Sequence, residues 1–195
     1  MKRIWLLAGL PLAVMGTSAM AAQPRTSAVR DNGFSYNYVQ GGYENQDWDG
    51  GLNVDALDGK LSYALDEHLF VRGGMQVFDG DYGRNNSING WRLNAGMGFH
   101  TPLKSRLDLV LTGDIVHIDY DVGSDNGIAL TGGVRHATTD KLELEGGAFM
   151  EDVQKSQFGL YGDARVHLNK QVDVGANLKL GDDVTAIGVY GRYNF

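Results

Sequence analysis

Polar and apolar residues alternate along the chain from Phe34 onward with a period of two residues. In the segment 57–63, the odd positions carry Leu, Gly, Leu and Tyr, whereas the even positions carry Asp, Lys and Ser. Alternation over about ten residues indicates a β-strand, because successive side chains of a strand point to opposite faces. The pattern predicts ten strands, an even number that lets all neighbouring strands pair antiparallel, and no comparable stretch has helical spacing.

The connections between these strands differ in length. The short ones lie near residues 65–68, 101–105, 138–141 and 169–170. The others are mostly longer and richer in Gly, Asp and Asn, and they lie near residues 45–52, 79–87, 119–127, 151–156 and 181–184. Short turns at one end and longer loops at the other are typical of transmembrane up-and-down barrels. The predicted fold class is therefore all-β, a closed antiparallel up-and-down β-barrel of about ten strands.

The first 21 residues predict a secretory signal peptide. Two basic residues precede an apolar run that ends near Met15, and small residues flank a cleavage position after Ala21. A transmembrane anchor is the alternative, but the run is too short and Pro11 interrupts it. Residues 22–33 show no periodicity and are expected to form a flexible lead-in, so the predicted barrel comprises residues 34–195.

Composition excludes several classes of site and partner. The chain has no cysteine, which excludes disulfides, thiolate metal sites and a cysteine nucleophile. Without Lys2 and Arg3, 15 basic residues remain against 24 acidic ones, a formal net charge of −9. Such an acidic chain is not expected to bind nucleic acid. No motif indicates a cofactor or a metal ion, and no segment is long and apolar enough to predict a transmembrane helix.

Alternation alone does not decide whether the apolar face points outward to lipid or inward, as in a soluble lipocalin-like barrel. The signal peptide and strands of 9–13 residues favour the membrane arrangement, since a tilted strand needs about 9–11 residues to cross a bilayer. Aromatic residues also recur toward the strand ends, as interfacial girdles require. These are Phe34, Tyr36, Tyr63, Trp91, Phe99, Tyr193 and Phe195.

Charged residues of both signs occur in the middle of the predicted strands, on the polar face. In a membrane barrel they would line the lumen and pair across it, because a lipid-facing charge costs a few kcal/mol. The predicted lumen charge network consists of Arg72, Arg92, Asp108, Asp114, Arg135, Glu143, Glu145, Asp163, Arg165, Lys179 and Arg192.

The sequence resembles the small outer-membrane β-barrel proteins of Gram-negative bacteria. The resemblance rests on the signal peptide, the opening "GFSYNYVQGGYE", the Gly-rich alternating strands and the aromatic C-terminal residue. It implies an outer-membrane location, with lipid and lipopolysaccharide as neighbours. In that family the last strand is the signal read by the barrel-assembly machinery, and Ile187, Val189, Tyr193 and Phe195 match its pattern here. Neither the resemblance nor the pattern predicts an oligomeric state.

Ten strands form a barrel only slightly wider than an eight-stranded one, whose interior is filled by side chains. We therefore expect a polar, mostly filled lumen, short acidic surface loops, and a structural or surface-interaction role without enzymatic activity. The alternative is a narrow, cation-preferring channel for small solutes, since glycines on the inner face leave local room. The acidic loops also suggest capture of divalent cations, although a solvated, mutually repelling acidic rim explains them better.

A barrel hydrolase of the omptin type is a further alternative. Asp79, Asp81, His117 and Asp119 are predicted near the outer ends of the third and fifth strands, where two acids and a His–Asp pair would activate a water molecule. Omptin proteases resemble this arrangement on a ten-stranded barrel. The His–Asp order is reversed here, however, and the chain is far shorter than an omptin.

Overall fold

The computed structural model describes residues 32–82 and 86–195, and these residues form ten β-strands. The predicted signal peptide and most of the predicted lead-in lie outside the described residues. The strands are β1 (Tyr38–Trp48), β2 (Leu52–Ala64), β3 (Leu69–Tyr82), β4 (Asn86–Lys104), β5 (Leu107–Tyr120), β6 (Gly123–Ala137), β7 (Leu142–Asp152), β8 (Ser156–His167), β9 (Val172–Gly181) and β10 (Val184–Asn194).

Each strand pairs antiparallel with its neighbours in sequence, and β1 pairs with β10 to close the barrel. The closing register runs without a bulge from Tyr38 opposite Asn194 to Trp48 opposite Val184. Closure satisfies the backbone hydrogen bonds of the first and last strands, which would otherwise be free edges. The predicted all-β, up-and-down barrel of ten strands is confirmed. Among the described residues, no helix is long and apolar enough to cross a membrane.

The apolar face of the alternating pattern points outward. Leu57, Ile115 and Leu160 each leave about three fifths of their surface exposed (61%, 69% and 60%). Inward positions of the same strands carry buried polar groups such as Ser62 and Asp114. An exterior this apolar is expected for a wall solvated by lipid, because large contiguous apolar surfaces are rare on water-soluble proteins.

At the end opposite the chain termini, the connections are shorter than the sequence predicts, because the strands continue into the predicted loops. At the end of the barrel that carries Tyr38 and Asn194, here called the terminal end, the connections are residues 65–68, 105–106, 138–141 and 168–171. At the opposite end they are residues 49–51, 83–85, 121–122, 153–155 and 182–183. The expected difference in loop length between the two ends is therefore wrong.

The polar segments predicted as long loops instead extend the strands. Asp55, Asp79, Asp81 and Asp119 lie on the outward side near the opposite end, at positions where the same strands carry apolar residues farther down. Local pairs of polar side chains stabilise this part of the wall; the Tyr43 hydroxyl, for example, donates to Asp55 Oδ1 over 2.5 Å. The wall of β1–β6 thus continues beyond the apolar belt as a polar rim.

Charged side chains stabilise the turns at both ends. In the β2–β3 turn, the Asp66 carboxylate accepts the backbone N–H groups of His68 and Leu69 over 2.7 Å each, and these bonds hold the pKa of this carboxyl below its usual value. At the opposite end, Lys155 Nζ lies 2.5 Å from Asp183 Oδ2, which raises the pKa of the lysine. These contacts tie adjacent connections of the barrel together.

Residues 32–37, here called the strap, precede β1 and cross the terminal end of the barrel. The Asn37 backbone oxygen accepts the N–H of Phe195 beside β1, and the Asn32 side chain donates to the backbone oxygens of Lys104 and Leu107 at the β4–β5 turn. Gly33 (φ +83°) adopts a left-handed backbone conformation that favours glycine. The strap is thereby held to the barrel on both sides of the opening.

The strap corrects the expected start of the first strand. Phe34 and Tyr36 were expected on an outer aromatic girdle, but both lie inside the barrel, and Tyr36 is only 7% exposed. Tyr36 packs with Phe70 and Val110, which also face inward. The period of two continues through these residues in the sequence, but they lie before the first paired residue of β1, Tyr38.

Candidate functional site: the barrel lumen

The lumen contains a cavity of about 330 Å³ that extends from Tyr36 at the terminal end to Gln46 and Glu151 near the opposite end. Its walls carry charged and amide side chains of every strand, and the strap residue Tyr36 belongs to its lining. The volume lies at the lower limit for small-molecule pockets, which are typically a few hundred Å³. The cavity is therefore the candidate functional site.

A buried ion cluster fills one side of the lumen at the terminal end. Glu143 on β7 accepts hydrogen bonds from Arg135 Nε on β6 (2.7 Å) and from Arg165 Nη1 on β8 (2.9 Å). All three residues are at most 3% exposed. The two guanidinium groups share one carboxylate, so Glu143 partly neutralises the arginines of both neighbouring strands, β6 and β8.

Further contacts extend this cluster to β8, β9 and β10. Arg165 donates to Asp163 Oδ1 (3.1 Å) and to the Tyr190 hydroxyl (3.1 Å), and Tyr190 in turn donates to Asp163 over 2.7–2.8 Å. His167 lies between two carboxylates, with Nε2 3.0 Å from Glu143 and Nδ1 2.7 Å from Asp173. A fully bonded polar network of this kind rigidifies the interior.

Two other groups of ion pairs line the cavity. Arg72 on β3 forms a bidentate pair with Asp114 on β5, with Nε 2.9 Å from Oδ1. Arg92 on β4 binds Glu151 on β7 through both terminal nitrogens, over 2.5 and 2.9 Å, and Lys179 Nζ lies 3.7 Å from the same carboxylate. Arg92 and Glu151 reach each other across the lumen, because two strands separate β4 from β7.

Arg192 is bound by neutral groups. Its Nε and Nη2 donate to Gln40 Oε1 over 3.0 and 2.6 Å, and its guanidinium lies 3.7 Å from the centre of the Tyr38 ring. A cation over an aromatic face is stabilised by about 0.5–2 kcal/mol, depending on its desolvation. These contacts join β10 to β1 from inside and add side-chain interactions to the closing strand pair.

Outside the Glu143 cluster, the cations that line the cavity are more exposed than the carboxylates that pair with them. The side chain of Lys60 is 42% exposed against 9% for Asp58, and that of Arg72 is 26% exposed against 2% for Asp114. The side chains of Lys179 and Arg92 are likewise more exposed than that of Glu151. The carboxylates lie against the wall, so the surface of the cavity is more cationic than its residue count suggests.

Asp108 on β5 connects the strap to the wall. Its carboxylate accepts the Asn32 side-chain N–H (2.6 Å) and the Tyr36 hydroxyl (3.2 Å), and His100 Nδ1 lies 3.3 Å from it. The Tyr36 ring stacks on His100 with ring centres 3.8 Å apart, and on Phe70 at 4.9 Å. The strap is therefore held by both hydrogen bonds and aromatic contacts.

The structure places all eleven residues of the predicted charge network on the inner face, in several separate groups. Asp108 contacts the strap, and Glu145 pairs with the Tyr161 hydroxyl (3.2 Å) instead of a cation. The sequence reasoning missed Glu151, which it assigned to an outer loop because the predicted strand ended at Met150. His100 and His167, which the sequence did not single out, also lie inside the barrel.

The omptin-like set does not form one site. Asp79 and Asp81 on β3 are separated by β4 from His117 and Asp119 on β5, and all four side chains are on the outward side. His117 Nδ1 lies 2.8 Å from Asn126 Oδ1 instead. In the described part of the chain, no group of three or more His, Asp and Glu side chains is arranged to hold a metal ion.

The residues of the predicted assembly signal lie on the outward face of β10 and just beyond it. Ile187, Val189, Tyr193 and Phe195 are 44–60% exposed. Val189 and Tyr193 are opposite Tyr43 and Val39 of β1, so the apolar exterior continues across the closing strand pair.

Comparison with known proteins identifies the family. The family model of the outer membrane protein beta-barrel domain matches residues 10–148. Among solved structures, the β domain of the Bordetella autotransporter BrkA is 11% identical, covers 81% of this chain and 98% of its own, and has a TM-score of 0.55. The KdgM porin in complex with disordered oligogalacturonate is 11% identical over 81% and 99% of the two chains (TM-score 0.48). Neisserial surface protein A is 13% identical over 81% and 96% (TM-score 0.45).

At such identities, the likeness to solved structures concerns the fold alone. No curated relative matches the sequence significantly. The family match covers more than half of the chain and agrees with the closed barrel and its apolar exterior. The chain therefore belongs to the outer-membrane β-barrel domain family and is located in the outer membrane.

Proposed function

We propose that this protein is a closed outer-membrane barrel whose role is structural or lies in surface interaction, not in solute transport. The main support is the filling of the lumen at the terminal end. The Glu143 ion cluster fills one side, and the strap with Tyr36 and Phe70 fills the other. An ion or solute on this path would have to break buried ion pairs, each of which loses several kcal/mol when one partner is left uncompensated.

The orientation follows from the polar rim. Outer-membrane barrels carry short turns on the periplasmic side and larger polar segments outside. The rim with Asp55, Asp79 and Asp119 is at the opposite end, so that end faces the exterior and the terminal end faces the periplasm. The exposed acidic surface then lies at the level of lipopolysaccharide, the partner expected there.

The apolar residues of β10 are proposed to be read by the barrel-assembly machinery. Support comes from the outward, exposed position of Tyr193 and Phe195 at the terminal end. These two residues add little to the core, so an assembly role accounts for them better than packing does. We also infer that the protein is not an enzyme, since the four residues of the omptin-like set lie apart on the outer wall.

Planar-bilayer recording of the purified, refolded protein tests the closed state. We expect no stable unitary current steps. Reproducible steps from a preparation that shows a single folded, heat-modifiable gel band would contradict the proposed function. A buffer-only detergent sample controls for detergent artefacts.

The second candidate is a narrow channel, and the specific observation in its favour is the 330 Å³ cavity. The acidic rim at the mouth would attract cations. The projecting cations Lys60, Arg72 and Lys179 favour anions inside. If the wild-type protein conducts, the reversal potential in a salt gradient shows whether the acidic rim or the cations of the cavity determine ion selectivity.

A further inference from the structure

We propose that the strap, residues 32–37, is a removable stopper, and that the barrel without it is a pore. This inference rests on the closed state of the wild-type protein proposed above. It concerns which part of the molecule produces closure.

The strap crosses most of the opening. At one side, Asn37 is bonded to Ala64 of β2 through its side chain and to Phe195 through its backbone oxygen. At the other side, Asn32 is bonded to the β4–β5 turn and to Asp108. Because β1 and β5 are four strands apart in a ring of ten, these anchors lie nearly opposite each other.

The central strap residues fill the space between the anchors. The Tyr36 backbone oxygen accepts the Ser62 hydroxyl (2.7 Å), and the Ser35 backbone oxygen accepts Arg135 Nη1 (3.1 Å). The Arg135 guanidinium also lies 4.7 Å from the centre of the Phe34 ring. The strap therefore contacts the ion cluster on one side of the lumen and the apolar wall on the other.

The wall beneath the strap does not close this side by itself. The inward residues of β2–β5 near the terminal end include Ser62, Phe70, Gly98 and Val110, which are short or lie flat against the wall. His100 and Asp108 also face inward here, but their pair joins the adjacent strands β4 and β5 and does not span the lumen. The Phe70 ring occupies the space that a side chain at Gly98 would need. No ion pair among the described residues crosses from these four positions, unlike the side held by Glu143.

Tyr36 also belongs to the lining of the 330 Å³ cavity. The strap thus lies between the cavity and the terminal end on the β2–β5 side, where Tyr36 stacks on Phe70 and His100. Displacing Tyr36 and Phe34 would join the cavity to the periplasmic solvent through a gap about the size of two aromatic side chains. Water and small ions would then reach the charged cavity wall.

The test is bilayer recording of the full mature chain carrying both Phe34→Ala and Tyr36→Ala. We expect unitary current steps that the wild-type protein lacks. The matched control is Tyr63→Ala, which removes an aromatic side chain at the same end from the outer face and should remain silent. Heat-modifiable gel mobility shows which samples are folded.

A second variant covers the case in which the double variant does not fold. Asn32→Ala removes three hydrogen bonds at one anchor and leaves the aromatic packing intact. It should give brief openings, less frequent than those of the double variant. If folded double-variant or Asn32→Ala protein stays as silent as wild type, the stopper is overturned while the closed state stands. If wild type itself conducts, the closed state fails, and the stopper survives only if the variants conduct more.

Discussion

Glu143 is the residue on which the charge balance of the lumen depends most. It is the only carboxylate in the described structure that accepts from two buried guanidinium groups, those of Arg135 and Arg165. Neither arginine is able to release its proton at any physiological pH. Removal of the carboxylate charge therefore leaves two cations facing each other in a desolvated site.

We expect Glu143→Gln to lower the free energy of unfolding by about 3–5 kcal/mol, the usual cost of breaking a buried ion pair. Urea unfolding of protein refolded in lipid vesicles measures this loss. Glu67→Gln makes the same chemical change at an exposed turn residue and should have an effect within about 0.5 kcal/mol. A loss below about 1 kcal/mol for Glu143→Gln would show that the cluster contributes little.

Glycines on the two faces of the wall are under different constraints. A Cβ at Gly98, on the inner face, would overlap the Phe70 ring. A Cβ at Gly191, on the outer face, would have no protein atom within 4 Å. Only the inner glycine is required for packing.

Gly98→Ala should therefore destabilise the barrel by about 1–3 kcal/mol, the range for overpacking a closely packed site. Gly191→Ala should be neutral or stabilise it by up to about 1 kcal/mol, since alanine loses less backbone entropy than glycine in a strand. The same unfolding measurement compares the two. Equal effects of both substitutions would contradict the close contact between Gly98 and Phe70.

At the scale of elements, the strands are longer than a bilayer requires. β4 has 19 residues and β6 has 15, whereas about 9–11 residues cross the hydrocarbon layer. The surplus is polar on its outward side and is located at the opposite end. The segments that form these polar extensions were expected to be loops. They are paired as strands because the neighbouring strands, β3 with β4 and β5 with β6, extend to the same level.

Single cysteines test where the membrane ends, and the chain contains no cysteine of its own. In intact cells, Asp81→Cys and Asp119→Cys should react with a membrane-impermeant maleimide, because both positions belong to the exposed polar rim. Met75→Cys, on the outward face of the same strand β3, is the control and should stay unlabelled within lipid. Labelling of Met75→Cys alone, or absence of labelling at both rim positions, would contradict the proposed orientation.

At the scale of the whole molecule, closure depends on β1 meeting β10 in one register over eleven pairs. Until the last strand is present, β1 and β9 are both free edges, and free edges invite aggregation. The proposed assembly signal would allow β10 to be recognised before the ring is closed. Phe195, at the end of this strand, is 56% exposed and has little packing to lose.

We expect Phe195→Asp to reduce the amount of folded protein in the outer membrane far more than it reduces refolding into vesicles. Phe158→Asp is the matched control, since Phe158 is 57% exposed on the outer face but belongs to β8. Membrane fractionation with heat-modifiable gel mobility measures the first quantity, and vesicle refolding the second. Equal assembly of the two variants in cells would argue against an assembly signal at Phe195.

The sequence by itself determined the class of fold, the number of strands and the face that most strand residues occupy. Those properties follow from local periodicity, because a strand forces neighbouring side chains to opposite faces. The inward positions of Arg72, Arg135 and Lys179 were predictable for this reason. The outward positions of Ile187, Val189 and Tyr193 on β10 were predictable in the same way.

Only the tertiary structure decided which charges pair and what closes the terminal end. The partner of Arg92 is Glu151, 59 residues later, and that choice depends on barrel width and strand stagger, which periodicity does not contain. Phe34 and Tyr36 have the alternation of a strand, yet they lie before the first paired residue of β1, and their side chains pack inside the barrel as the chain crosses the opening. Local periodicity determines which face of the wall a residue occupies, whereas the closed ring determines which residues it contacts there.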